Sequence, residues 1–344
     1  MKRNISLDAF RGLFSISVMM GHYFYWNDHK DIYPLSFILS VDFFFVLSGY
    51  VLSLSLSRSK KENDDWYLSF LKNRFIRIYP VYMVCAVVTG IFIYFVQDIN
   101  LGLSVPGMFS VLMLGQALGF SDGSVFLSAS SPGVAWSISA EIWVGALFFP
   151  VVYLFRQLKL NLILVPICFV LVIFLTLSVI KFSPNLMDVH YQMLNSYVTF
   201  AAVRCLIGFC IGFLVFYFSS EGFGLKMPTL MEFSAIFICV LLYFKVSYER
   251  HNEILAPILS GVLVYVFSHG KGIVSKRLLN NVMCDWLGRL SFSIYMVHPI
   301  LISVFKYLEV DFNILNTGLY FMSCMLAAYV LHVFVEKPSM KYKA

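Results

Sequence analysis

The sequence predicts an all-α fold, a polytopic membrane helix bundle of about ten transmembrane helices with both termini cytoplasmic. Three observations predict it. Hydrophobic residues make up 60% of the 344 residues and charged residues only 13%, against about 25% charged in soluble domains. The apolar runs are continuous over about twenty residues rather than alternating, so they read as helices and not as strands of a barrel. Lys and Arg between the runs fall mostly on one side of the membrane when the runs are counted as ten crossings.

The first span, 7–26, reads LDAFRGLFSISVMMGHYFYW and holds Asp8, Arg11 and His22. Eleven positions at about 100° per residue make three turns plus about 20°, so Arg11 and His22 share one helix face, about 16 Å apart along the axis. Asp8 lies three residues before Arg11 on the same stripe and is placed to pair with it. A charge at membrane depth costs about 2.5–3.5 kcal/mol on insertion scales, so this stripe should face a protein interior or a watery cavity. The span carries charge and lacks a small-residue cleavage site, and reads as retained rather than as a signal peptide.

The second span, 35–56, carries Asp42 about a third of the way down, then Ser48 and Gly49. The glycine allows close helix packing. Asp42 is either half of a buried pair or a functional orienter or base. Beyond a loop with Arg58, Lys60 and Lys61, the run FLKNRFIRIYP sets Lys72, Arg74 and Arg77 before Pro80 and the third span, 78–97. This charge is a topology signal, and also what a phosphate-bearing cytoplasmic ligand requires.

The segment 105–119 is short and broken by Pro106, Gly107, Gly115 and Gly119. If it crossed, Lys and Arg would divide about evenly between the two sides, so it is expected to be re-entrant or interfacial. The fourth span, 134–155, opens with Trp136 as an interfacial anchor and carries Glu141. Spans follow at 160–180, at 197–219 with Arg204, and at 229–246 and 253–268. The ninth, 287–308, has Arg289 at its cytoplasmic end and His298 before Pro299, where the imidazole can bond to carbonyls that the proline frees. The last, 313–335, leads into Glu336 and Lys337, which are expected at the surface.

By depth, His22, Asp42, Glu141 and Arg204 fall in one outer-third layer from four helices. Such a layer is either a site or a buried ion-pair network, and the imidazole favours the site. The seven cysteines lie in apolar runs without metal-ligand spacing and read as small hydrophobes, so no metal is expected. The net charge of +6 follows membrane orientation and implies no nucleic-acid partner.

LDAFRG with Arg11 eleven residues before His22, DFFFVLSGYVLS, FLKNRFIRIYP, WSISAEIW, LGRLSFSIYMVHP and a terminal VEKP occur in this order over most of the chain. Taken together they resemble the integral-membrane acyltransferase family 3. The resemblance implies a single membrane acyltransferase domain over 1–344 in a bacterial inner membrane, in the stand-alone form without an SGNH domain. It implies an O-acyltransferase that moves an acyl group, most often acetyl, from cytoplasmic acetyl-CoA to a hydroxyl of an exported or surface glycan such as O-antigen, capsule or exopolysaccharide, with a membrane-lipid-linked acceptor among the options. Family blocks often read WSLSVEEQ, with a second acid where this chain has Ile142.

On that basis Arg11, Arg74, Arg77 and Arg289 are expected to hold the donor's phosphates, and His22 to act as general base with Asp42 or Glu141 fixing its tautomer. Arg204 is expected at the oxyanion, with Trp136 and His298 beside the acceptor. A glycolipid transporter or flippase is the competing class, because a cationic inner mouth under a polar layer also suits substrate passage.

Overall fold

A computed structural model of the chain describes residues 4–29, 32–58, 66–119, 131–182, 199–221, 224–245 and 255–342. Lys60 and Lys61, named above for the loop after the second span, lie outside these. The elements are helical: α1 Ile5–Trp26, α2 Ser40–Arg58, α3 Trp66–Ile91, α4 Val105–Met113, α5 Ser131–Val134, α6 Trp136–Gln157 and α7 Asn161–Phe182. Then come α8 Phe200–Ser220, α9 Pro228–Lys245, α10 Leu255–Ser268, α11 Val282–Tyr307, α12 Ile314–Leu331 and α13 Lys337–Ser339. Among the described residues, seven helical stretches are long and apolar enough to cross a membrane, and α9 and α10 are shorter apolar helices. α1 is outside that set because of its polar stripe. These helices correspond to the ten expected spans.

Short polar side chains start the helices. Asn4 caps α1 by accepting from the Leu7 amide, and its own amide donates to the carbonyls of Phe267 and Ser268, which ties the start of α1 to the end of α10. Thr199, Asn281 and Asn313 cap α8, α11 and α12 in the same way.

Two close parallel pairs make the centre. In the first, α1 and α11 run side by side: Gly288 abuts the Asp8 backbone, Gly12 abuts Leu287, and His22 reaches His298 further along. In the second, α2 and α8 pair Asp42 with Arg204 and meet at Gly49, Gly208 and Gly212. A methyl at Gly49 would stand 2.7 Å from the Phe209 carbonyl oxygen, so only glycine permits this approach. Lipid gives no hydrophobic drive between helices, and such small-residue contacts supply the dispersion that holds them together. Phe43, Phe45, Phe209 and Phe213 pack around the crossing with almost no exposure, while Leu162, Val170 and Phe174 of α7 lie on the outside.

The third helix differs from expectation. It starts at Trp66, not near 78, so Lys72, Arg74 and Arg77 are helical residues and not a loop before the span. The arginines are accommodated because they line an internal cavity, where a guanidinium meets polar partners instead of lipid.

Segment 105–119 is too short to cross. α4 has nine residues, about 13 Å of rise, and Leu114 at φ 52° turns the chain back. Its exposed backbone is satisfied by side chains: Tyr79 and Tyr82 donate to the carbonyls of Leu112 and Val111, Trp143 and Ser139 to that of Leu114, and Thr199 to that of Ala117. Non-helical backbone at membrane depth persists only where protein satisfies it in this way.

Candidate active site

A cavity of about 1130 Å³ lies between α1, α2, α3, α6 and α11. Asn4, Leu56, Trp66 and Ser268 stand at one end, where α1 and α3 begin and α2 and α10 finish. At the other end are Val41, Phe44, Ser137 and Tyr295, with the rings of Phe44 and Tyr295 centred 6.5 Å apart. Arg11, Arg74 and Arg77 face the cavity, together with Asp8, Ser48 and Glu141.

Each cation has its own setting. Arg11 donates to Asp8 at 3.3 Å, the pairing that the spacing predicts. Arg74 donates to Glu141 at 2.6 Å, and Ser48 donates to the same carboxylate oxygen at 2.7 Å. Arg77 is close enough to Arg11 for their charges to repel. Among the described residues no carboxylate is within ion-pair distance of Arg77. Two neighbouring guanidinium groups on the wall of one cavity, of which only Arg11 has a carboxylate beside it, favour an anion there. Arg289 is not part of it: its side chain is exposed and pairs with Asp285 on its own helix, because Asp285 one turn earlier captures it.

The four residues expected in one polar layer are paired two by two with partners. Asp42 receives Nε and Nη2 of Arg204 at 2.8 and 2.7 Å, and Trp136 lies over that guanidinium with its ring centre 5.9 Å from Cζ. Glu141 belongs to Arg74. His22 Nδ1 stands 3.0 Å from His298 Nε2, with the two rings nearly parallel, 10° between planes. Neither carboxylate expected to fix the His22 tautomer therefore serves His22, since a guanidinium is the stronger hydrogen-bonding partner for each. Arg204 is likewise engaged by Asp42 instead of standing open to an oxyanion, and Trp136 is buried against Phe45 rather than anchoring at an interface.

His22 and Arg11 do project along one side of α1, yet only Arg11 borders the cavity. The cavity ends at Tyr295, one residue short of a turn before His298, so about 4.5 Å of helix rise separates it from the imidazole pair. Tyr295 is fixed there by its hydroxyl, 2.8 Å from Ser137 Oγ and 2.8 Å from the Val134 carbonyl.

Glu336 was expected at the surface and is buried. A π-turn over His332–Glu336 swings its carboxylate inward, where Ser293 donates to it at 2.9 Å and His332 meets it at 2.8 Å. The sequence signal for this was available in His332, four residues before Glu336 and one helical turn away.

A family model described as an acyltransferase domain matches residues 4–333. The chain belongs to acyltransferase family 3. The curated protein "Protein 2 in picA locus" of Rhizobium radiobacter is similar to this acyltransferase, 31% identical over 164 residues, which cover 43% of this chain and 81% of that protein. No solved structure matches the acyltransferase. The matched span covers every wall of the cavity and both histidines of the imidazole pair.

Proposed function

We propose that this membrane acyltransferase takes an acetyl group from cytoplasmic acetyl-CoA and places it on a hydroxyl of an exported or cell-surface glycan, working in a bacterial inner membrane. The observation that carries the reading is the cavity whose wall bears Arg11, Arg74 and Arg77 and whose closed end lies one turn from the His22–His298 pair.

In this reading the donor enters from the end where α1 begins and sets its phosphates against Arg11 and Arg77, with Arg74 held ready by Glu141. Charge-assisted hydrogen bonds of this kind contribute about 1.5–3 kcal/mol each. The thioester arm runs along the apolar wall of α2 to Phe44 and Tyr295, and the Phe44 ring moves away from the fixed Tyr295 to admit it. The acceptor reaches His22 from the opposite side. His22 takes the hydroxyl proton as the oxygen attacks the thioester carbonyl. The new carbon–oxygen bond forms, the carbon–sulfur bond breaks, and the proton passes from the imidazole to the departing thiolate.

The purified acyltransferase, incubated with acetyl-CoA and candidate glycan acceptors, should release CoA and increase the glycan mass by one acetyl group. His22→Ala should stop transfer while donor binding persists. A glycolipid transporter built on the same cavity would leave the glycan mass unchanged and consume no thioester, and that result would replace this reading.

A further inference from the structure

We infer that His298 is the positioning residue for His22, a buried neutral imidazole that sets its tautomer in place of a carboxylate. The inference rests on the reading of His22 as the base. His298 has no exposed surface, borders no part of the cavity and so does not reach a substrate. What it touches is His22, at 3.0 Å. The Tyr295 ring lies across it, centroids 5.8 Å apart, and Tyr320 lies beside its carbonyl at 3.4 Å, so its ring is clamped on α11.

The direction of the hydrogen bond follows from Pro299. Proline has no N–H, so the Tyr295 carbonyl lacks its helical donor. Nδ1 of His298 is buried and makes no hydrogen bond of normal geometry, and the main-chain carbonyls of Ile294 and Tyr295 on its own helix favour a hydrogen on this ring. A neutral imidazole carries one N–H. With that hydrogen placed at Nδ1, where the freed carbonyl favours it, Nε2 of His298 is the acceptor of the 3.0 Å contact and His22 donates from Nδ1. The basic lone pair of His22 is then at Nε2, on the far side of the ring from His298. During transfer His22 gains the acceptor's proton at Nε2 while Nδ1–H stays bonded to His298, and it returns the Nε2 proton to the thiolate. The pair adds no net charge to the buried site, whereas an Asp–His arrangement would bury an anion.

The test joins kinetics with nitrogen NMR of histidine-labelled enzyme in detergent, the His22 signal being assigned by its loss in His22→Ala. The native enzyme should show His22 protonated at Nδ1. His298→Leu should lose that fixed tautomer and lower kcat by about 10²–10⁴-fold, with the donor KM unchanged. His298→Gln can still accept from Nδ1–H through its side-chain oxygen, and should recover about tenfold in kcat over the leucine variant. His22 protonated at Nε2 in the native enzyme would overturn the inference, as would a His298→Leu enzyme with native kcat or a His298→Gln enzyme no faster than it. Retained activity in His22→Ala would instead remove the base reading, a result distinct from either spectrum.

Discussion

Arg74 and Glu141 form an ion pair at 2.6 Å within the wall of the cavity, joining the N-terminal half of α3 to the N-terminal half of α6. Breaking one side of this partly buried pair leaves the other charge without its hydrogen-bonded partner, at a cost of about 1.5–3 kcal/mol. Arg74→Ala should therefore lower the unfolding temperature in detergent markedly, and Arg74→Met combined with Glu141→Leu should recover most of the loss. Donor affinity should stay low in both. Recovery of donor affinity in the double variant would show that the pair serves only the fold.

Arg77 faces the cavity beside Arg11. Arg77→Ala is expected to raise the KM for acetyl-CoA about 10–100-fold through loss of one charge-assisted contact. Acetyl-pantetheine has no phosphates and should be turned over equally by both enzymes. Arg77→Lys should not rescue fully, because an ammonium lacks the guanidinium fork.

The rings of Phe44 and Tyr295 stand between the arginines and the histidine pair. Phe44→Trp should leave acetyl-CoA binding intact and slow transfer at least about tenfold, since a larger ring obstructs the arm in a packed interior. Titration calorimetry with the donor and a transfer assay on the same preparation separate the two effects. Parallel loss of binding and transfer would locate the thioester elsewhere.

Much of this was legible in the chain. Continuous apolar runs gave the helices, and the eleven-residue spacing placed Arg11 and His22 on one side of α1, because helical phase is a local property. The partners of Asp42, Glu141 and His22 were not legible. Depth along each helix was readable, yet which faces meet depends on the parallel pairing of α1 with α11 and of α2 with α8 at their glycines, a long-range choice. Arg289 misled because charge near a span end looks alike whether it faces a cavity or its own helix. Likewise the start of α3 was placed late, because arginines in the first turns lower hydropathy even when a cavity receives them.

Ser139 sits where the backbone of 105–119 turns back, donating to the Leu114 carbonyl and accepting from the Ala117 amide. Ser139→Ala leaves the Ala117 amide unsatisfied, at about 1–3 kcal/mol, while the Leu114 carbonyl keeps the Trp143 indole as donor. Hydrogen exchange should quicken in 105–119 while the α1 and α11 amides keep their protection. Uniform quickening throughout the bundle would mean that this segment is not a separate unit of opening.

α1, which carries a polar stripe, packs most extensively on a helix that the ribosome makes late: His22 and His298 are 276 positions apart. Until α11 emerges, Asp8 has Arg11 beside it but lacks the Gly288 backbone that later covers it. A nascent chain stopped before residue 282 should therefore hold its first segment poorly in the bilayer and be removed by quality control, so biosynthesis delivers either the finished catalyst or nothing that lasts.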